Sequence, residues 1–301
     1  MSRRALLLFV AMCVIWGIPY LFIRIAVSEL APVVLVFART AVGALVLLPI
    51  ALARGEVRPL LRLWVPLVAF AAIEVGVPWL MLSNAEQHIS SSLAGLLISA
   101  VPLVTWVAAV AFGRREQIGP VNIAGLLLGL VGVAAIVGLD LHASDALAFL
   151  EMAAVVIGYS VAPVILSRFL MGLPPVGVTA AALTLCAVAY APAAALQWPA
   201  SPPSLGVMAA VAVLAVVCTA LAFLLFFALI AEIGPVRATV ITYINPAVAA
   251  ILGVLVLHET FTIGMAVGFL LVIAGSTLAT RRRTQSNVST AGERAAPPAR
   301  P

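Results

Sequence analysis

Glu74 stands near the centre of an apolar run, flanked by Ile73, Val75, Gly76 and Val77, and Arg39 lies inside the run before it. Such groups have recognisable chemistry. A carboxylate withdrawn from water can carry a proton or receive an amine, and a guanidinium can receive a carboxylate. The plainer use is for the two charges to pair with each other. Trp16, Tyr20, Trp79, Trp106, Tyr159 and Tyr243 also lie inside apolar runs. Rings with polar handles suit a pocket for an organic molecule, cations included, and serve equally as ordinary packing. Asn245 needs a partner in apolar surroundings. Pro246 follows it, and Pro102 occupies the matching place in the first half. Each proline frees a carbonyl one turn earlier, so helix breaks are expected at both, with a tolerated kink as the alternative. These residues form the candidate substrate pocket, and Glu74 is also the candidate coupling residue.

Other polar residues have simpler readings. Thr219 and Ser160 can bond their own helix backbone. Arg24 is expected to snorkel to the outer interface. Glu116 and Glu259 stand beside helix starts, where an acid suits the positive end of the helix that follows. His258-Glu259 begins a zinc-protease pattern, but position 262 is Thr, and neither a P-loop nor a dinucleotide-binding glycine pattern is present. No catalytic residue, metal or cofactor is expected. The three cysteines, Cys13, Cys186 and Cys218, read as small buried hydrophobes.

The elements that carry these residues follow from composition. Of 301 residues, 64% are hydrophobic and 9% charged, and mean hydropathy is +1.24. A soluble domain averages about 25% charged residues, so the bilayer is the solvent. The apolar runs are continuous rather than alternating, which indicates helices and not a barrel. Approximate spans are 5–27, 33–53, 64–84, 91–112, 121–139, 148–168, 175–196, 205–230, 237–257 and 263–280. The N-terminal run continues past any cleavage site and reads as an uncleaved first span. Trp64 and Trp198 fall at span ends, where aromatic belts form.

Arginine supplies all 16 basic residues, and apart from Arg24 and Arg39 inside spans it is confined to alternate loops and the two termini. One side has Arg3, Arg4, Arg54, Arg58, Arg62, Arg114, Arg115, Arg168, Arg237 and Arg281 to Arg283. The loops at 28–32, 85–90, 140–147, 197–204 and 258–262 have none. The positive-inside rule therefore places both termini in the cytoplasm of a multi-pass plasma-membrane protein, bacterial by its arginine, alanine and glycine richness. The net charge of +5 is an orientation signal and not a nucleic-acid footprint.

The two halves repeat. Glu116, Gly125 and Gly132 spell E-x8-G-x6-G, as do Glu259, Gly268 and Gly275, and Pro32, Pro49 and Gly17 recur nearly in step at Pro175, Pro192 and Gly158. Units with an odd number of spans insert with opposite topology, which puts a pseudo-two-fold axis in the membrane plane and a site near mid-depth. The expected organisation is all-α, with about ten transmembrane helices in two inverted five-helix repeats, 1–140 and 141–283. A disordered cytoplasmic tail, 284–301, follows.

This pattern resembles the EamA type of the drug/metabolite transporter superfamily. Trp16-Gly17 followed by Arg24 is similar to that family's first-span pattern. Ala38-Arg39 is similar to its second-span A-L-R-F stretch, with Thr40 in place of Phe. The segments Pro102 to Glu116 and Pro246 to Glu259 resemble the ends of its repeats. The resemblance covers roughly residues 5–280. It implies alternating-access transport, often efflux, of small organic metabolites such as amino acids. The partners are then a small-molecule substrate and the lipid bilayer, with a homodimer as an open alternative to the monomer. An intramembrane enzyme and a non-transporting sensor or scaffold are the rival classes. The first lacks a supporting constellation and the second lacks soluble mass.

Overall fold

The computed structural model describes residues 2–111, 119–138, 146–234, 238 and 240–280. Glu116, Arg114, Arg115, Arg237, Arg281 to Arg283 and the tail lie outside them. The fold is all-helical. Eight helical stretches are long and apolar enough to cross a bilayer: Arg3–Ala26, Pro32–Ala53, Arg58–Ala85, Ser91–Ala108, Pro120–Val137, Ala146–Phe169, Pro175–Leu196 and Leu205–Ile233. Two shorter apolar helices, Ile241–Leu257 and Ile263–Ala279, complete the second repeat. Each repeat thus contributes five helices, and the second runs through the bundle in the opposite sense. Arg3, Arg4, Arg54, Arg58, Arg62 and Arg168 all fall at one end, the basic face; the other end is the far face.

The E-x8-G-x6-G glycines make a crossing between the fifth span, Pro120–Val137, and the tenth, Ile263–Ala279. A Cβ on Gly125 would stand 2.7 Å from the Gly275 carbonyl oxygen, and one on Gly132 would stand 2.7 Å from that of Gly268. Only the absence of side chains lets these backbones approach so closely. The most visible sequence repeat is therefore a packing device.

Several spans are not regular. The first is interrupted at Trp16-Gly17-Ile18, between Arg3–Ile15 and Pro19–Ala26, where Val248 of the other repeat packs against Gly17. The fourth is interrupted at Ser99-Ala100, between Ser91–Ile98 and Val101–Ala111, just before Pro102. Pro246 does not break its helix. It lies inside the continuous Ile241–Leu257, in the second turn, where few intrahelical bonds have yet formed. The third and eighth spans each carry a π-helical stretch, Ala71–Gly76 and Val213–Leu221, at equivalent places in the two repeats. Such turns leave carbonyls displaced from the regular ladder. The seventh span, Pro175–Leu196, answers two of them: Cys186 Sγ donates to the Ala71 carbonyl at 3.4 Å and Tyr190 Oη to the Gly76 carbonyl at 3.1 Å.

Acids of one repeat also cap helices of the other. Glu56 accepts from Gly177 N at 2.9 Å at the basic face. At the far face, Glu29 accepts from Ser204 N at 2.7 Å. The hydrogen bonds from Ser204 hold the Glu29 carboxyl below its ordinary value, so that cap persists at neutral pH and is lost as pH falls through the lowered value. Glu259 accepts from Ser91 N at 2.8 Å, Ser92 N at 2.9 Å and Ser92 Oγ at 2.6 Å. It caps the fourth span and not the helix that follows it, whose own N-cap is Thr262.

The glycine crossing is directly testable. Gly132→Val or Gly268→Val is expected to cost about 1–3 kcal/mol through overpacking and to lower the melting temperature in detergent, followed by tryptophan fluorescence. Gly206→Ala, whose Cβ would meet only Ser204 Oγ at 3.9 Å, is expected not to lower it.

Candidate functional site

Arg39 anchors the polar centre of the bundle. It projects from the second span, Pro32–Ala53, and is 7% exposed. Its guanidinium carbon lies 3.7 Å from the centre of the Trp79 ring, a cation–π contact withdrawn from water. Its Nε donates to Thr219 Oγ1 at 2.9 Å. Thr219 belongs to the π-helical stretch of the eighth span and donates its own proton to the Leu214 carbonyl, five residues back, at 2.8 Å. The expected bond to its own backbone is made, and the threonine also accepts from the arginine. Gly43 makes room for the contact, since a Cβ there would stand 2.9 Å from Thr219 Cγ2.

Tyr20, Tyr159 and Cys218 lie within electrostatic reach of the guanidinium. Tyr20 is buried and packs against Gly95 of the fourth span. Tyr159, from the sixth span, is half-buried and within hydrogen-bonding reach of Trp79. Arg39, Trp79, Tyr20 and Tyr159 therefore gather where the first, second, third and sixth spans meet the eighth, and both repeats contribute. Glu74 lies on the π-helical turn of the third span, half-buried and close enough to Tyr159 for their charges to interact. The expected pairing of Glu74 with Arg39 is not made. Arginine spends its side chain on Trp79 and Thr219, and among the described residues no carboxylate lies within ion-pair distance of it.

The remaining candidates lie elsewhere. Trp16 packs on Phe226 (ring centres 4.6 Å apart) and edge-on to Phe223 (5.9 Å), beside the eighth span. With its amide nitrogen turned inward, Asn245 donates to the Ile241 carbonyl at 2.9 Å and to the Cys13 carbonyl at 3.0 Å, just before the break in the first span. Tyr243 is half-buried in the first turn of the ninth-span helix, towards the basic face. Trp106 is half-buried in the second half of the fourth span, also towards the basic face. The candidates thus do not meet in one pocket. An apolar groove of about 660 Å³, lined by Leu30, Val34, Ala38 and Trp198 among others, lies on the outside of the bundle and includes none of them.

A second polar cluster escaped the sequence reading. Glu86, in a segment read as an outer loop, is 0% exposed, and neither of its carboxyl oxygens has a hydrogen-bond partner. Arg24 does not snorkel freely: its Nη1 donates to the main-chain carbonyl of Glu86. Ser91 Oγ is likewise buried without a partner, and the Glu259 cap stands next to it. Gly253 leaves the space for that cap, because a Cβ there would collide with Ser92 Oγ and Glu259 Oε2. Polarity near Gln87 and His88 hid Glu86; no spacing signal marked it.

Comparison with known proteins bears on this architecture. The EamA-like transporter family model matches residues 3–138 and again 146–281. An uncharacterized inner membrane transporter, YedA of Escherichia coli K12, is 29% identical over 255 residues, covering 81% of this chain and 79% of its own. An uncharacterized transporter of Archaeoglobus fulgidus is 25% identical over 295 residues, covering 95% of this chain and all of its own. A solved structure described as "Crystal structure of protein" shares the fold, with TM-score 0.66 at 24% identity over 93% of this chain and 98% of that one.

The Arg39–Thr219 bond makes a separable prediction. Thr219→Val leaves a buried donor on a charged group unsatisfied and is expected to destabilise by about 1–3 kcal/mol, measured by thermal unfolding in detergent. Thr184→Val removes only a bond to its own helix at Ala180 and is expected to change stability far less.

Proposed function

The chain belongs to the EamA-like transporter family, and we propose that it exports small organic metabolites carrying a carboxylate, amino acids foremost, by alternating access. It is a multi-pass membrane transporter; the substrate class, direction and mechanism are the reading argued here. One observation carries it. Arg39 is a buried guanidinium at the junction of the two repeats, and among the described residues no carboxylate lies within ion-pair distance of it. Removing an ion from water costs several kcal/mol unless an opposite charge compensates. A substrate carboxylate supplies that charge, and Trp79, Tyr20 and Tyr159 supply apolar surface and hydroxyls around its organic part. Glu74, beyond Tyr159, is placed to receive the amine of a zwitterion or a proton in its stead. The outward direction follows from the family resemblance.

Closure fits the same picture. Burial of Arg39, Trp79 and Tyr20 supports reading this conformation as closed around them. Access from the far face requires the Glu259 cap on Ser91 and Ser92 to part, and access from the basic face requires the Glu56 cap on Gly177 to part. Both join one repeat to the other, so rocking the repeats exchanges one cap for the other.

Uptake into proteoliposomes of radiolabelled amino acids, sugars and amines tests the reading. Transport of a carboxylate-bearing compound is expected, with Arg39→Ala slowing it at least about tenfold, equivalent to losing about 1.4 kcal/mol of binding. Arg39→Lys is expected to fall between, since it keeps the charge but not the planar fork. Transport confined to compounds lacking a carboxylate, or an Arg39→Ala protein with unchanged kinetics, would overturn the assignment.

Orientation is tested separately. A cysteine at exposed Ser201 is expected to react with impermeant maleimide added to intact cells, and one at Met171, 76% exposed at the basic face, only after the membrane is permeabilised.

A further inference from the structure

We propose that Glu86 is a proton-binding site that locks the far-face gate: the gate closes with the Glu86 carboxyl protonated and opens with release of that proton to far-side water. The proposal rests on the alternating-access reading and adds its coupled ion.

The geometry argues it in three steps. First, Glu86 caps the C-terminal end of Val77–Ala85, where the helix dipole already disfavours negative charge. It is fully buried, and neither carboxyl oxygen has a hydrogen-bond donor among the described residues. An ionised carboxylate needs such donors, whereas a neutral carboxyl tolerates their absence far better.

Second, neither nearby cation bonds the Glu86 carboxyl. Arg24 donates to the main-chain carbonyl of Glu86, and Arg39 is stacked on Trp79 and bonded to Thr219. Among the described residues, the charged and titratable groups that act on Glu86 come from three elements. The first span offers Tyr20 and Arg24, the second Arg39, and the turn before the tenth Glu259. The sixth span offers Glu151, which faces Asn84 and His88 rather than Glu86. Glu259 is itself an acid and already holds three donors. Burial, with the Glu259 carboxylate adding to it and the two arginines opposing it, raises the Glu86 carboxyl well above the ordinary range.

Third, the site is tied to the gate by the chain. Residues 86–90 lead directly into Ser91 and Ser92, whose amides hold Glu259 of the opposite repeat. Parting that cap moves the turn and admits water to Glu86, which then ionises by losing one proton. The sign follows. The closed form binds the proton more strongly than the open form, so falling pH favours closure. Rising pH through the raised value favours opening.

Cys218 is a built-in reporter of opening. It lies beside Arg39 and is 1% exposed. In a Cys13→Ala/Cys186→Ala background, its labelling by impermeant maleimide is followed in intact cells between about pH 5.5 and 8.5. Wild-type labelling is divided by that of Glu86→Gln, so that ionisation of the thiol cancels. Glutamine imitates the protonated carboxyl, so the ratio is expected near one at the acid end and to rise roughly tenfold or more at the alkaline end. Glu86→Asp is expected to follow the wild type. Glu86→Met, apolar and of similar length, gives the same comparison if the glutamine variant does not accumulate. A flat ratio overturns the proposal, as does a profile abolished by Glu74→Gln instead. A wild-type profile that follows sodium concentration at fixed pH replaces the proton by a metal cation. Cys218 silent at every pH in the wild type would remove the alternating-access reading itself.

Discussion

Inside a bilayer no water is available to a backbone group that leaves its helix, and the irregularities of this chain are governed by that constraint. The π-helical turn at Ala71–Gly76 frees carbonyls, and Cys186 and Tyr190 answer them from the other repeat. Asn245 reaches the Cys13 carbonyl next to the break in the first span. Ser160 donates to the Val101 carbonyl, at 3.2 Å, where the fourth span resumes. Three helix starts are capped by acids from the opposite half. Many of the polar groups that irregularity exposes are thus satisfied across the junction of the repeats. That junction is consequently where regular backbone is lost and where Arg39 finds Thr219 and Trp79.

The distribution explains how much could be read from residues alone. Span number, inversion and the basic face were legible, because each is written in local composition: apolar length, arginine position and a repeated glycine spacing. Arg39, Trp79, Tyr20 and Tyr159 stood among nine candidates for a related reason, since a polar handle in an apolar run must find something; that these four gather without Trp16, Trp106, Tyr243 and Asn245 was not legible. Nor were their partners. Arg39 turns to a threonine and an indole rather than to Glu74, and that choice depends on where a π-helical turn places Thr219. No propensity marks such a turn.

Two further differences have local causes. Pro246 falls early in Ile241–Leu257, and the helix runs on through it. Glu86 sits beside Gln87 and His88, which are exposed, and only tertiary packing buries it. Glu259 was placed at the correct kind of site, a helix start, but its helix belongs to the other repeat and lies far away in sequence. The Arg39–Thr219 bond and the Glu259 cap both join the two repeats, where a one-dimensional reading carries least information.

The glycine crossing has a consequence for symmetry. Gly125 meets Gly275 and Gly132 meets Gly268, while in the repeat Gly125 corresponds to Gly268 and Gly132 to Gly275. The patch on the fifth span is thus the same patch as that on the tenth, and it is complementary to itself: an isologous contact of the kind that joins identical subunits. Among the described residues, the crossing is made by the two spans themselves. Two separate copies of a single five-helix protein, inserted in opposite senses, would form it unchanged, and fusion into one polypeptide leaves each half free to diverge. Arg39 opposite Ala182 and Glu74 opposite Val217 show where that freedom was taken: the seam stayed symmetric while the charges did not.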